Sequence, residues 1–298
     1  MLVLRREEIY QGNLILVNRN YPVRHWIKEQ DLRPVFENQP EICMQRESAK
    51  MLQKLLMNVT QQKVGAGQPL AGEVSEAGQP LAGEMNCGGR KGNVKVLEEE
   101  PSIVGVSGYR TREEQIQIFE DSLRENGREF TEKYVAFPDH SEHQTGLAID
   151  LAENREEIDF ICPEFPREGI CQKFREKMAG FGFIERYAKE KQNVTGIGAE
   201  PWHFRYVGAP HARLMQQKDM ALEEYVEWLK QFHLLENPLS LYMQKKEIKI
   251  GYLRAQGETT RIDGWDAWMD SSQNIKVEVS GNNVDGFILT CTMGEIER

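Results

Sequence analysis

The stretch Ser141-Glu142-His143-Gln144-Thr145-Gly146-Leu147-Ala148-Ile149-Asp150-Leu151 changes character halfway along. From Leu147 the apolar residues alternate with period two, so Leu147, Ile149 and Leu151 share one face of a strand and Asp150 leaves by the other. His143 stands seven positions before Asp150, and Gly146 between them permits a bend that returns the imidazole toward the carboxylate. A second stretch, Glu200-Pro201-Trp202-His203-Phe204-Arg205-Tyr206, has the same design. Trp202, Phe204 and Tyr206 face a core, while His203 and Arg205 face the other way. Two imidazoles and one carboxylate, with a fourth position left to water, are the donors of catalytic zinc. Glu200 is at hand to take a proton from that water. Spacing alone leaves the alternative open, because a His–Asp pair that merely satisfies itself is commoner than a metal site.

Around these two stretches the chain reads as mixed α and β. Ser102–Ser107 (SIVGVS) predicts a buried strand, and Thr111 with Glu114 forms a capping box opening a helix with Ile116, Phe119 and Leu123 on one face, closed by Gly127. Cys171, Phe174 and Met178 predict a second helix ending at Gly180 or Gly182. Leu222, Tyr225, Val226 and Leu229 predict a third, with His211 near its start in a capping or core role. Earlier, Met51, Leu52, Leu55 and Leu56 give a helical stripe over 48–59. Beyond Pro238, segments 248–253, 275–279 and 287–292 predict strands. We therefore expect a catalytic domain over 1–236 and a small β-rich appendage over 240–298. Within the first, about 62–95 reads as a flexible Gly-rich insertion in which AGQPLAGE occurs twice, at 66–73 and 77–84.

Composition narrows the function. The 298 residues carry 37 Lys plus Arg against 47 Asp plus Glu, a formal charge of −10, which disfavours nucleic acid and anionic membranes as partners. No apolar run is long enough to span a bilayer, and Met1–Glu8 has no signal-peptide pattern, so the expectation is a cytoplasmic protein without a membrane anchor. Five cysteines without a CxxC spacing fit reduced thiols.

Ser107-Gly108-Tyr109-Arg110, then Ser141-x-His143-x-x-Gly146-x-Ala148-x-Asp150, then Glu200-Pro201-Trp202-His203 occur in the order found in zinc D,D-peptidases of the VanY/VanX type. The run from about 101 to 230 resembles the bifunctional VanXY members, with Ile161-Cys162-Pro163 and Arg205-Tyr206-Val207-Gly208 as supporting matches. The resemblance implies an α+β metallopeptidase fold of the hedgehog-like type, a small antiparallel sheet with a zinc cleft surrounded by helices; the strands after 240 lie outside the part it covers. It implies Zn²⁺ held by His143, Asp150 and His203, with Glu200 as the base that activates the zinc-bound water. Arg110 is expected to stabilise the oxyanion or hold the substrate. Gln115 and Ser141 match substrate-contacting positions, and Tyr109 and Trp202 are carried as further candidates, although packing is the plainer role for Trp202. The implied reaction is hydrolysis of D-Ala–D-Ala, as free dipeptide or at the end of pentapeptide precursors, which depletes the termini that vancomycin binds.

Segments 124–140 and 153–169 are the expected gates of the cleft. Glu142 and Arg205 are candidates for orienting the ligands, or for a plain salt bridge. His140 is expected to miss the metal, and Cys162 and Cys171 to be core thiols. Trp265 and Trp268, with Asp263, Asp266 and Asp270, fit a β core with an acidic rim better than a sugar site. Two rival readings share the scaffold: a murein endopeptidase or endolysin, and a zinc-binding module without catalysis. A module of the latter kind has no use for Glu200 and Arg110.

Overall fold

The computed structural model describes residues 1–61, 102–243, 245–263 and 275–295. The expected insertion at 62–95 with its AGQPLAGE repeats, and Trp265, Trp268, Asp266 and Asp270, lie outside them. In chain order the first elements are β1 (Leu2–Arg5), β2 (Leu32–Phe36), β3 (Gln39–Gln45), α1 (Arg46–Gln61), β4 (Ile103–Ser107), α2 (Arg112–Glu125) and α3 (Gly127–Tyr134). Then come β5 (Ala148–Glu153), α4 (Gly169–Met178), β6 (Phe183–Tyr187), the short α5 (Gln192–Thr195), β7 (Glu200–Tyr206), α6 (Ala209–Lys218) and α7 (Leu222–Leu229). The chain finishes with β8 (Leu239–Met243), β9 (Lys246–Arg254), β10 (Thr259–Ile262), β11 (Lys276–Gly281) and β12 (Gly286–Glu295).

The centre is a four-stranded antiparallel sheet in the order β4-β5-β7-β6. Its apolar face carries the alternating residues read from the sequence. Leu147, Ile149 and Leu151 meet Trp202, Phe204 and Tyr206, and Phe174 of α4 with Leu52 and Leu55 of α1 close over them. Phe174, Phe183 and Phe204 are fully buried, so this aromatic core holds the strands in a single register. With that face sealed, every polar residue of opposite parity on β5 and β7 is committed to the other side.

The capping box forms as expected: the Thr111 hydroxyl accepts from Glu114 N, and the Glu114 carboxylate accepts from Thr111 N. Gly127 does more than end that helix, since its φ of +78° turns the chain straight into α3. The third expected helix divides in two, because Asp219 in the left-handed region separates α6 from α7. His211 therefore lies in α6, in a core role, with Nδ1 2.8 Å from the Tyr225 hydroxyl and Nε2 2.9 Å from that of Thr290.

The C-terminal strands make a second antiparallel sheet, β11-β12-β9-β8, and its Ile248, Ile250 and Ile288 pack against α6 and α7. This sheet is fastened to the start of the chain. β1 pairs with β10, Leu14 N donates to the buried Ser280 hydroxyl, and the Asn283 amide donates to the carbonyls of Leu16 and Pro22.

Candidate active site

Asp150 on β5 and His203 on β7 are directly opposed in the sheet register. Across an antiparallel pair this brings their side chains together on one face without any loop to position them. His203 Nδ1 lies 2.9 Å from Asp150 Oδ1. His143 arrives from the short turn before β5, where Gly146 adopts φ +67° to let the chain double back, and its Nε2 lies 3.1 Å from Asp150 Oδ2. One donor atom from each of the three falls within 4.8 Å of the others, and all three side chains are buried. His143 Nδ1 bonds the Gly108 carbonyl at 2.7 Å, which fixes its tautomer and leaves Nε2 bare. The far nitrogen of His203 faces Glu142 Oε2 at 3.4 Å, so Nδ1 is the free one there. The donor set, its burial and its fixed tautomers suit a divalent metal ion.

Glu200 poses a problem of parity. Strict alternation puts it with Trp202, away from His203, yet its carboxylate is 3.7 Å from His203 Nδ1. The solution is an irregularity in the β6–β7 ladder, where Glu185 pairs with Phe204 but Tyr187 pairs with Glu200. Regular alternation is broken between these pairs, and Glu200 lines the cleft beside His203. A second irregularity on β4 sets Ser107 opposite Asp150. Ser107 then accepts from Arg110 Nε at 2.9 Å, while the guanidinium reaches Asp150 at 3.1 Å and Gln115 Oε1 at 3.2 Å.

The charges around the centre are unevenly poised. Burial raises the Glu200 carboxyl to about 8, against the opposing pull of His203. Burial would depress His203, but its bonds to Asp150 and Glu142 raise it to about 9. His143 is lowered by burial and then by the Arg110 cation. Burial would raise Asp150, and the two imidazoles hold it well below the usual carboxylate range instead. Glu142 behaves likewise, with Arg205 and Arg186 as the opposing cations at 2.7 and 2.9 Å. Arg186 in turn pairs with Glu223 of α7, and Arg205 donates to the Asn13 and Ile15 carbonyls.

These residues floor a cleft. Val135, Ala136 and Tyr134 wall one side, Phe160 and Ile161 another, so both segments expected as gates contribute. Ser141, Trp202, Tyr187 and Ile197 complete it. Gln115 does not line it: fully buried, it accepts from Arg110 and donates to the Ala136 carbonyl at 2.8 Å. Tyr109 lines an adjacent depression. His140 stands aside, bonded to the Asn18 carbonyl. Cys171 is buried and Cys162 half-buried, both with thiols pushed up by burial, to about 12 and about 11. Tyr187, whose ring sits 4.8 Å from that of His203, and Arg186 escaped the sequence reading. Nothing in the local pattern of β6 distinguishes them from ordinary strand residues.

Residues 94–209 match the family model "VanY: D-alanyl-D-alanine carboxypeptidase". The chain is 47% identical over 139 residues to the bifunctional D-Ala-D-Ala dipeptidase and D-Ala-D-Ala carboxypeptidase VanXYC of Enterococcus gallinarum, covering 46% of this chain and 73% of that one. The chain belongs to the VanY family.

Within that family the likeness reaches well past the motifs. A D-alanyl-D-alanine carboxypeptidase of Enterococcus faecium is 30% identical over 291 residues, 98% of this chain and 78% of its own. Among solved structures, the vancomycin-resistance D,D-dipeptidase VanXYg, in complex with a D-Ala-D-Ala phosphinate analogue, matches at 40% identity with a TM-score of 0.78 over 98% of both chains. The VanY-family likeness thus takes in the C-terminal sheet as well as the cleft.

Proposed function

We propose that this VanY-family chain is a zinc D,D-peptidase that hydrolyses the D-Ala–D-Ala amide, as free dipeptide and at the end of pentapeptide precursors. The observation that carries this reading is the cross-strand Asp150–His203 pair with His143 and Glu200 converging on it on the floor of the cleft. We assign His143 Nε2, Asp150 and His203 Nδ1 as the ligands of Zn²⁺. When bound, the ion supplies Lewis-acid chemistry, polarising the scissile carbonyl and acidifying water. Glu200 takes the proton of the attacking water and passes it to the departing amine. Its buried carboxylate, 3.7 Å from His203 Nδ1, stands where it can reach both the water and the leaving amine.

Arg110 is pinned by Ser107, Gln115 and Asp150, so its charge is in place before the carbonyl oxygen becomes negative. Gln115 acts through Arg110. Ser141, buried in the lining of the cleft, is suited to donate to the substrate carboxylate, and Trp202 bounds the same pocket. Among the described residues no helix is long and apolar enough to cross a membrane. Cys43, Cys162, Cys171 and Cys291 are all free thiols, which supports action in the reducing cytoplasm on precursors there.

The test is D-Ala release from D-Ala–D-Ala and from a nucleotide-linked pentapeptide by zinc-loaded protein, with Glu200→Ala as control. The variant should keep its zinc and lose roughly 10²–10⁴-fold in turnover. Undiminished hydrolysis by Glu200→Ala would refute its role as base, and no release from either substrate by the zinc-loaded wild type would refute the function.

A further inference from the structure

Glu142 stands between the guanidiniums of Arg186 and Arg205 and faces the outer nitrogen of His203, so whatever fixes those two cations fixes the imidazole. Both are held by one N-terminal segment. Arg205 donates to the carbonyls of Asn13 and Ile15 at 3.1 and 2.9 Å. Arg186 pairs with Glu223, whose Oε1 also accepts from the Asn18 side-chain amide at 3.1 Å. Residues 13–18 belong to no helix or strand, although Leu14, Ile15, Leu16 and Val17 are buried. Without a ladder of its own, this stretch has to be held from outside.

The turn that joins β11 to β12 holds it. Leu14 N donates to Ser280 Oγ at 2.9 Å, and Leu16 N donates to the Asn282 carbonyl at 3.1 Å. Asn283 gives three bonds: its side-chain amide donates to the carbonyls of Leu16 and Pro22 at 2.8 and 2.9 Å, and its backbone N–H to that of Ile9 at 2.8 Å. The turn is shaped for this contact. The Asn282 carboxamide oxygen accepts from the backbone of Val284, Asp285 and Gly286, and Asn283 takes a φ of +60°. A Cβ at Gly281 would overlap the Ile9 carbonyl, so the approach of the two segments requires glycine there. Resting on the assignment of His203 as a metal ligand in the D,D-peptidase reading above, we infer that this turn positions the metal centre: it clasps residues 9–22, which hold Arg186 and Arg205 about Glu142 and so set the His203 imidazole. Asn283 is the positioning residue at its head. Buried guanidiniums need their acceptors satisfied, so loosening residues 13–18 lets both cations re-aim and frees Glu142 with them.

The experiment uses the full chain, with zinc affinity measured by competition with a chelator and the His203 ring nitrogens followed by NMR in the metal-free protein. Asn283→Gly deletes the side-chain amide without straining the left-handed backbone. It should weaken zinc binding roughly two- to thirty-fold and move the His203 Nε2 resonance. Leu289→Ala opens a cavity under the same sheet without touching the hydrogen bonds of the turn. That variant should lose at least as much thermal stability and change neither readout. Glu223→Gln, at the far end of the path, should weaken zinc binding as well, and the double variant with Asn283→Gly should fall short of the two effects multiplied. The inference fails if Asn283→Gly binds zinc as the wild type does, if Leu289→Ala weakens binding equally, or if the double variant shows both effects in full. A wild type that binds zinc and releases no D-Ala rejects the D,D-peptidase reading instead, and the clasp is then decided by zinc affinity and the His203 resonance.

Discussion

Glu142 decides how His203 can act. It is fully buried between two arginines and faces the outer nitrogen of that imidazole, so His203 presents Nδ1 inward. Glu142→Gln keeps the shape but removes the charge that favours this tautomer, and should weaken zinc binding about 10–100-fold, measured by competition with a chelator. An unchanged affinity would reduce Glu142 to a structural salt bridge. His203→Ala should lose both metal and turnover, and a zinc content equal to wild type would sink that assignment. Because the metal-free His203 is raised to about 9, it carries a proton at neutral pH that a metal must displace. Glu200, raised to about 8, holds a second proton at pH 7 and must give it up to act as base, so zinc uptake at pH 7 should release between one and two protons, read from calorimetry in buffers of differing ionisation heat. The histidines, Asp150, Glu200 and Arg110 could be picked out beforehand because each sits in a local pattern of parity or motif. The partners of Glu142 could not, since Arg186 and Glu223 come together only through tertiary packing.

The strands place chemistry where periodicity alone would misplace it. Alternation sorted Trp202, Phe204 and Tyr206 from His203 and Arg205, but it does not place Glu200, which reaches His203 where the ladder between β6 and β7 is irregular. A bulge leaves no compositional trace in a single sequence, so this could not be read in advance. The β2–β3 hairpin was likewise missed, because its alternation is interrupted by Pro34 and Pro40. That hairpin has a function in positioning: a Cβ at Gly108 would lie 2.5 Å from the Cys43 carbonyl oxygen of β3. Gly108→Ala must push β4 away from β3 and displace the carbonyl that holds His143 Nδ1. We expect a loss of zinc affinity and a fall in thermal stability together. A variant that stays as stable as wild type with intact zinc affinity would show that the approach is not needed.

Across the whole molecule, the polar face of the central sheet couples folding stability to protons held at His203 and Glu200. In the metal-free chain His203 is raised from its ordinary value near 6.5 to about 9, so its contribution to stability is complete below pH 6.5 and is lost as pH rises through 9. Glu200, raised from 4.5 to about 8, works in the same direction, because the folded state holds its proton more tightly than the unfolded one. The melting temperature of metal-free protein should therefore fall by several degrees between pH 6 and 9, whereas the zinc-loaded protein should fall much less. Parallel curves for the two forms would show that these groups do not titrate at the metal position.

The pairing of β1 with β10 also has a consequence in time. Leu2 is matched to Ile262, some 260 residues further along the chain. At about 5–20 residues per second, β1 leaves the ribosome roughly ten seconds to a minute before its partner has been made. During translation the segment around Leu4 and Ile9, both destined for burial, must wait in contact with solvent or with chaperones. Closure of this sheet thus waits until residue 262 has been made, and any stall before it leaves a nascent chain in which β1 is an unsatisfied strand edge.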